Sequence, residues 1–233
     1  MTEAWGEENL YCPSCDSEHL TPSAPNREAI DYTCPRCQEL FQLKSRSTAL
    51  AAKILDAAYD SMQRAIVSGQ TPNLFALHYD RFQWEVLNLV VVPRFAYSLS
   101  AIEKRKPLSS SARRANWVGC NILLGNIPPD ARISIVKGGV VTDASLVRER
   151  YARLRPLEKI KHDARGWTLD VLNVVRALNK AEFTLQDVYA FAAQLEKLHP
   201  DNRHVRDKIR QQLQVLRDLG FVEFLGRGRY RCV

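Results

Sequence analysis

Apolar and polar residues alternate with a period of two in several short stretches, the signature of a half-buried strand. From Leu40 to Lys44, Phe41 and Leu43 fall on one side, and Gln42 and Lys44 on the other. Ile30 to Thr33 reads as a second short strand. The intervening TCPRC is then the tip of an antiparallel hairpin, which places Asp31 opposite the Gln42 region. From Leu50 to Val67 the apolar and small residues Ile54, Ala57, Ala58, Met62, Ala65 and Ile66 recur at helical spacing and predict a helix. Leu74 to Tyr79 and Leu87 to Val92 read as buried strands, the second ended by Pro93. Arg132 to Val136, the Gly138-Gly139 turn and Val140-Val141 read as a hairpin. Together these predict an α+β layer, a mixed sheet with packed helices, over residues 1–160.

Residues 161–233 follow a different pattern. Leu169, Leu172, Val175 and Leu178 stripe a helix from Trp167 to Leu178. Thr184 and Asp187 stand at capping-box spacing and open a second helix that runs to Leu198, before His199-Pro200. Ile209, Leu213, Leu216 and Leu219 stripe a third helix, from Asn202 to Leu219, stopped by Gly220. Phe221 to Leu225, a Gly-Arg-Gly turn and Arg229 to Arg231 complete a hairpin. Three helices and a hairpin predict an α-rich winged helix, a fold that places its third helix in the DNA major groove.

Composition narrows the class. The chain has 233 residues, a 45% hydrophobic share and 25% charged residues, ordinary for a globular protein of one or two domains. No apolar run approaches the roughly 20 residues needed to span a bilayer. The N-terminus is polar and acidic, unlike a signal peptide, so a cytoplasmic location and no membrane partner are expected. A net charge of +7 favours a polyanionic partner, and eight Lys/Arg against four Asp/Glu from His199 onward concentrate it in the tail.

Four of the six cysteines fall as Cys12-x2-Cys15, 18 residues, then Cys34-x2-Cys37, within the zinc-ribbon template. Each knuckle carries a Pro that favours a tight turn. Four thiolates close a tetrahedral site, so the Zn²⁺ is expected to be structural; the alternative is two disulfides. Cys120 and Cys232 belong to no motif, and His19 reads as a surface residue.

The hairpin also carries chemistry. An acid on one strand, with an oxygen ligand and a Lys two residues apart on the next, is an arrangement that hydrolyses phosphodiesters. Asp31 and Gln42 would hold Mg²⁺, with Mn²⁺ as a substitute, through hard oxygens. Lys44 would stabilise developing negative charge. The alternative is a solvent-facing strand.

The combination of the four-cysteine element, the Asp31 to Leu43-Lys44-Ser45 hairpin, EKRKPLSSSARRANWVGCNI from Glu103, RGWTLDVLN from Arg165 and KIRQQLQVLRDLGFVEFLGRGRYR from Lys208 resembles the DpnI-type methyl-directed (Type IIM) restriction endonucleases. These belong to the PD-(D/E)XK superfamily and end in a winged helix, and the similarity runs from about Tyr11 to the C-terminus. The resemblance implies Mg²⁺-dependent cleavage of double-stranded DNA at N6-methyladenine sites of the GATC type. It makes Asp31 the metal-binding acid and Lys44 the catalytic lysine. The chain departs from the pattern at Gln42, where the family has Glu, and Ile30 stands where the superfamily's nominal Pro would be. Gln42 can still offer a neutral oxygen, but one negative charge is gone. Glu28 and Glu39 are close in sequence, although Glu39 falls on the opposite side of the pleat. The other reading is a non-cleaving regulator that binds methylated DNA.

Two segments are candidates for DNA contact. Arg113 and Arg114 lie in a Ser-, Pro- and charge-rich stretch that reads as a phosphate-gripping loop or a solvated one. Trp117 follows, and would either touch the methyl group or sit in the core. In the third helix of the tail, Asn202, Arg203, His204, Arg206, Arg210 and Gln211 are the candidates for base edges, and Arg227 at the wing for phosphate. A protein-binding winged helix is the alternative. The chain is expected to be a monomer in isolation. One active site per chain then requires a transient dimer or two successive nicks to cut a duplex.

Overall fold

The strand Asn73–Tyr79 is buried along its first five residues, so it must be covered on both faces and lie in the middle of a sheet. The structure is a computed structural model that describes residues 2–24, 29–50 and 52–233. In chain order its elements are α1 (Thr2–Asn9), β1 (Thr21–Pro22), β2 (Tyr32–Thr33), β3 (Leu40–Arg46), β4 (Lys53–Ala58), α2 (Tyr59–Ser68), β5 (Asn73–Tyr79), β6 (Val86–Val92), β7 (Ile102–Lys104) and β8 (Gly119–Leu123). There follow β9 (Ile133–Lys137), β10 (Val140–Val141), α3 (Ala144–Leu154), α4 (His162–Ala177), β11 (Glu182–Thr184), α5 (Leu185–Tyr189), α6 (Ala192–Leu198), α7 (Val205–Asp218), β12 (Val222–Gly226) and β13 (Arg229–Cys232).

Among the described residues a seven-stranded mixed sheet has the order β1-β2-β3-β5-β6-β9-β10. Only β3 and β5 pair in parallel within it, and the chain between them passes through β4 and α2. A second sheet, β4-β8-β7, has three strands. The expected α+β architecture with a cysteine-bearing hairpin is therefore present.

The expectation of one helix from Leu50 to Val67 is corrected. Lys53–Ala58 is the strand β4, paired antiparallel with β8, and the helix starts only at Tyr59. Ile54 is buried and Leu55 is 62% exposed, the alternation of a strand. Pairing with a strand distant in sequence overrides a local pattern that fits a helix as well. Gly69, in the left-handed region, receives the end of α2.

In the C-terminal part, α4 begins at His162, one turn earlier than the apolar stripe indicates. The second helix is broken into α5 and α6 around Ala190-Phe191, although the Thr184–Asp187 capping box is present as read. The third helix starts at Val205, so Asn202, Arg203 and His204 lie ahead of it. The sheet β11-β13-β12 closes the winged-helix arrangement, and Thr168 of α4 donates to Gln212 of α7 at 2.7 Å in its core. Several polar contacts join the two parts of the chain, among them those of Arg153 with the carbonyls of Gly220 and Val233 and of Asn173 with that of Gly125. Arg176 grips Asp130 with two hydrogen bonds of 2.8 and 2.9 Å, and Asp170 accepts from Ser100 at 2.5 Å while pairing with His199 at 2.8 Å. No helix among the described residues is long and apolar enough to cross a membrane.

Candidate active site and nucleic-acid interface

Strand β3 joins two sites. At its start the backbone N–H of Cys34 donates to Glu39 and that of Gln38 to Cys34, which closes the second knuckle. The four cysteine sulfurs lie within 4.8 Å of one another. Cys12 and Cys37 stand 3.6 Å apart and Cys15 and Cys34 3.5 Å. A disulfide would need about 2.05 Å, and all four thiols are free. The separations approach the edge, about 3.8 Å, of a tetrahedron of metal–sulfur bonds about 2.3 Å long. The cluster fits a structural metal such as zinc. Burial opposes ionisation of Cys34, but the backbone N–H groups of Cys37 and Arg36, together with the Cys37 and Cys15 thiols, outweigh it and bring its pKa to about 7. Arg148 of α3 donates to the carbonyls of Cys12 and Ser17 and braces the first knuckle.

Further along β3 the predicted alternation holds. Phe41 is buried and stacks on Phe75 with ring centres 5.2 Å apart, and Leu43 packs on the same core. Gln42 and Lys44 share the other face. Asp31 stands just before β2, which has only two residues, rather than inside a longer strand. Its N–H donates to the carbonyl of Phe41 at 2.9 Å, and its carboxylate accepts the N–H of Leu43 at 2.6 Å. Asp31 is thereby fixed against β3 beside Gln42 and Lys44. Glu39 faces away as expected, with its carboxylate on Arg94 and Asn73. Glu28 lies outside the described residues.

Sequence reasoning missed Asp56. Its Oδ1 accepts from the Gln42 amide at 2.9 Å and pairs with the Lys44 ammonium at 3.0 Å. The Asp56 side chain is 1% exposed and that of Lys44 30%. Asp56 sits in β4 at an irregularity in the β4–β8 pairing between Leu55 and Ala58. Such bulges commonly re-aim a side chain next to an active site. Two buried neighbours sense the group. Burial, then the Asp56 charge, pushes the Cys120 thiol up to about 11, while Lys44 and Arg105 oppose this. Burial and the same carboxylate hold the Tyr97 phenol well above its ordinary range. A lone acid within the otherwise apolar run ILDAA was the available signal, but reading the segment as a helix hid it.

The basic loop hangs from the sheet that carries Asp56. It joins β7 to β8, and Arg105 donates its N–H to Gly119 and Leu108 to Trp117. Trp117 is half-buried. The Arg114 guanidinium lies 5.0 Å from its ring centre. The ring packs so close to Gly119 that an added Cβ would lie 2.7 Å from it. Arg113 and Arg114 are exposed.

In the winged helix Arg203, His204, Arg206, Arg210 and Gln211 are exposed, and Asn202 is half-buried. Three of these side chains are engaged within the chain: Asn202 accepts the N–H of His204 at 2.8 Å, Arg210 pairs with Asp207, and Gln211 accepts from Lys208 at 2.9 Å. Arg206 lies over the Tyr189 ring. Arg227, with φ 50°, forms the exposed wing tip between Gly226 and Gly228.

Two known family models match the chain. Residues 1–160 match the DpnI family model, described as the Dam-replacing family. Residues 163–232 match DpnI_C, the Dam-replacing HTH domain, a DNA-binding module. The two matches cover nearly the whole chain, which therefore belongs to the DpnI, or Dam-replacing, family of methylation-dependent restriction enzymes.

Proposed function

We propose that the protein is a Mg²⁺-dependent endonuclease that cleaves double-stranded DNA at N6-methyladenine sites of the GATC type, acting in the cytoplasm. Residues 1–160 would form the catalytic domain and 161–233 the second DNA-reading domain. The observation that carries the reading is the fixing of Asp31, from the segment that leads into β2, against β3 where Gln42 and Lys44 share a face, in a chain of this family.

Each residue has a defined task. Asp31 and the Gln42 amide oxygen are the hard oxygen donors that would hold Mg²⁺. When bound, Mg²⁺ supplies Lewis-acid polarisation of the scissile phosphate and a more acidic attacking water. Lys44 places a positive charge where the phosphorane gathers negative charge. Cys12, Cys15, Cys34 and Cys37 hold Zn²⁺ and fix the hairpin that presents Asp31 to β3. Arg113, Arg114 and Arg227 grip phosphates, which sets register without reading sequence. Trp117, partly open beside Arg114, offers an apolar face to the methyl group. Arg203, His204, Arg206, Arg210 and Gln211 face the major groove, with Asn202 at the start of the same surface. A single such site per chain cuts two strands through a transient dimer or two successive nicks.

Gln42 itself favours a second reading, a methyl-DNA binder that no longer cuts. Incubating adenine-methylated and unmethylated plasmid with the protein and Mg²⁺ or Mn²⁺ separates the two. Cutting of methylated plasmid alone is the expected result. A tight shift of methylated duplex with no cutting in either metal would establish the binder instead.

A further inference from the structure

We propose that Asp56 is a ligand of the catalytic divalent cation and supplies the carboxylate that position 42 lacks. The inference rests on the nuclease reading above and assigns a residue outside the hairpin to its metal site.

The charge balance is the first argument. With Asp31, Gln42 and Lys44 alone, one carboxylate offsets one ammonium, and nothing net attracts a divalent cation. Asp56 touches both Gln42 and Lys44 and restores a net negative charge to the group.

Geometry is the second. The 2.9 Å between the Gln42 amide and Asp56 Oδ1 equals the separation of two adjacent ligands in an octahedron of Mg–O bonds about 2.05 Å long, an edge of about 2.9 Å. Without a cation, the acceptor-only carboxylate draws the NH₂ end of the amide towards it. Turning the amide by half a rotation puts its oxygen there instead, and Asp56 and Gln42 become neighbouring oxygen ligands. The second oxygen of Asp56 accepts no hydrogen bond among the described residues, so lone pairs remain for a metal or its waters.

The third argument is what the fold does to place the group. A carboxylate 1% exposed is costly to bury, and the strand pairing is disturbed where it enters the site. Asp56 thus brings a carboxylate from strand β4 against the Gln42 and Lys44 side chains of β3.

A purely structural Asp56 that only holds Lys44 in place would also reduce cutting, so activity alone does not decide. The deciding measurement is Mn²⁺ binding to the zinc-loaded protein, followed by electron paramagnetic resonance without DNA. Asp56→Asn is expected to weaken Mn²⁺ binding at least tenfold, and the double variant Gln42→Glu/Asp56→Asn to return within about threefold of the original. Gln42→Glu alone should bind tighter than the original, and adding Asp56→Asn to it should again cost about tenfold. This last comparison decides even if Asp56→Asn alone does not fold. Unchanged Mn²⁺ affinity on removing Asp56 in either background overturns the assignment, as does absence of Mn²⁺ binding to the unsubstituted chain. Failure of the unsubstituted protein to cut methylated plasmid while Mn²⁺ still depends on Asp56 would overturn the nuclease reading and leave the metal ligand standing.

Discussion

The cysteine cluster at the start of β3 and the Asp31–Gln42–Lys44–Asp56 cluster along it are specified in different ways. The first is built from two knuckles whose spacing is written locally in the chain, and one metal would lock them. The second exists only where two sheets meet, because β3 brings Gln42 and Lys44 and β4 brings Asp56. A local device can hold the hairpin rigid whatever surrounds it. A site shared between sheets depends on the whole fold, and its electrostatics can be retuned by a change on either strand.

Breaking the local device should have the largest effect. Cys34→Ser removes one of four thiolates from a site whose metal affinity is also folding free energy, on the order of 10 kcal/mol for structural zinc. The expected outcome is loss of bound zinc by elemental analysis, and loss of hydrogen-exchange protection from Tyr32 to Arg46. DNA cutting should vanish with it, because the hairpin presents Asp31. Normal zinc content with a protected hairpin would mean that the knuckles hold themselves.

Lys44→Ala tests the shared site. Zinc content and overall fold should be retained, while single-turnover cleavage drops by about 10²–10³-fold, the usual cost of removing one group that stabilises transition-state charge. Binding to a methylated duplex should change only a few-fold. The variant should also melt at a lower temperature, since it leaves Asp56 buried with the Gln42 amide but without its cation partner, at a cost of about 1–3 kcal/mol. Retained cleavage would remove β3 from the chemistry.

This contrast also explains what could be read from the chain. The cysteine spacing, the two faces of β3, the opposition of Asp31 and Gln42 and the Thr184 cap all rest on residues a few positions apart or on a strict period of two. They were legible for that reason. Asp56 was not, because Ile54, Ala57, Met62 and Ile66 suit a helix as well as a strand followed by a helix. The choice is made by β8, whose Ile122 pairs with Ile54 from a distant part of the chain. The break between α5 and α6, and the start of α7 at Val205, are not marked by the apolar stripe; ahead of α7 the Asn202 side chain accepts the N–H of His204.

A smaller effect is expected at the loop between β7 and β8, which belongs to the shared site by attachment but acts through solvent. Replacing Arg113 and Arg114 together by Ala should weaken binding to methylated and unmethylated duplex about equally. It should reduce the slope of log affinity against log salt by about two, close to one per lost phosphate contact. An unchanged salt slope would make the loop a solvated one.

The smallest effect returns to a local device. Asp187 accepts from Lys180 and from the N–H and hydroxyl of Thr184, and these contacts lower its pKa to about 2. A carboxylate with a depressed folded-state pKa contributes its stability fully above its unfolded value of about 3.9. The contribution is lost as the pH falls through about 2. Chemical shifts of the α5 amides should therefore stay constant from neutral pH to about 4 and then move together with the Asp187 carboxyl. Asp187→Asn should remove that step while Thr184 still caps the helix with its hydroxyl, so the winged helix remains folded at neutral pH. A titration step that persists in Asp187→Asn would assign it to another acid and show that this cap, unlike the cysteine knuckles, does not act independently of its surroundings.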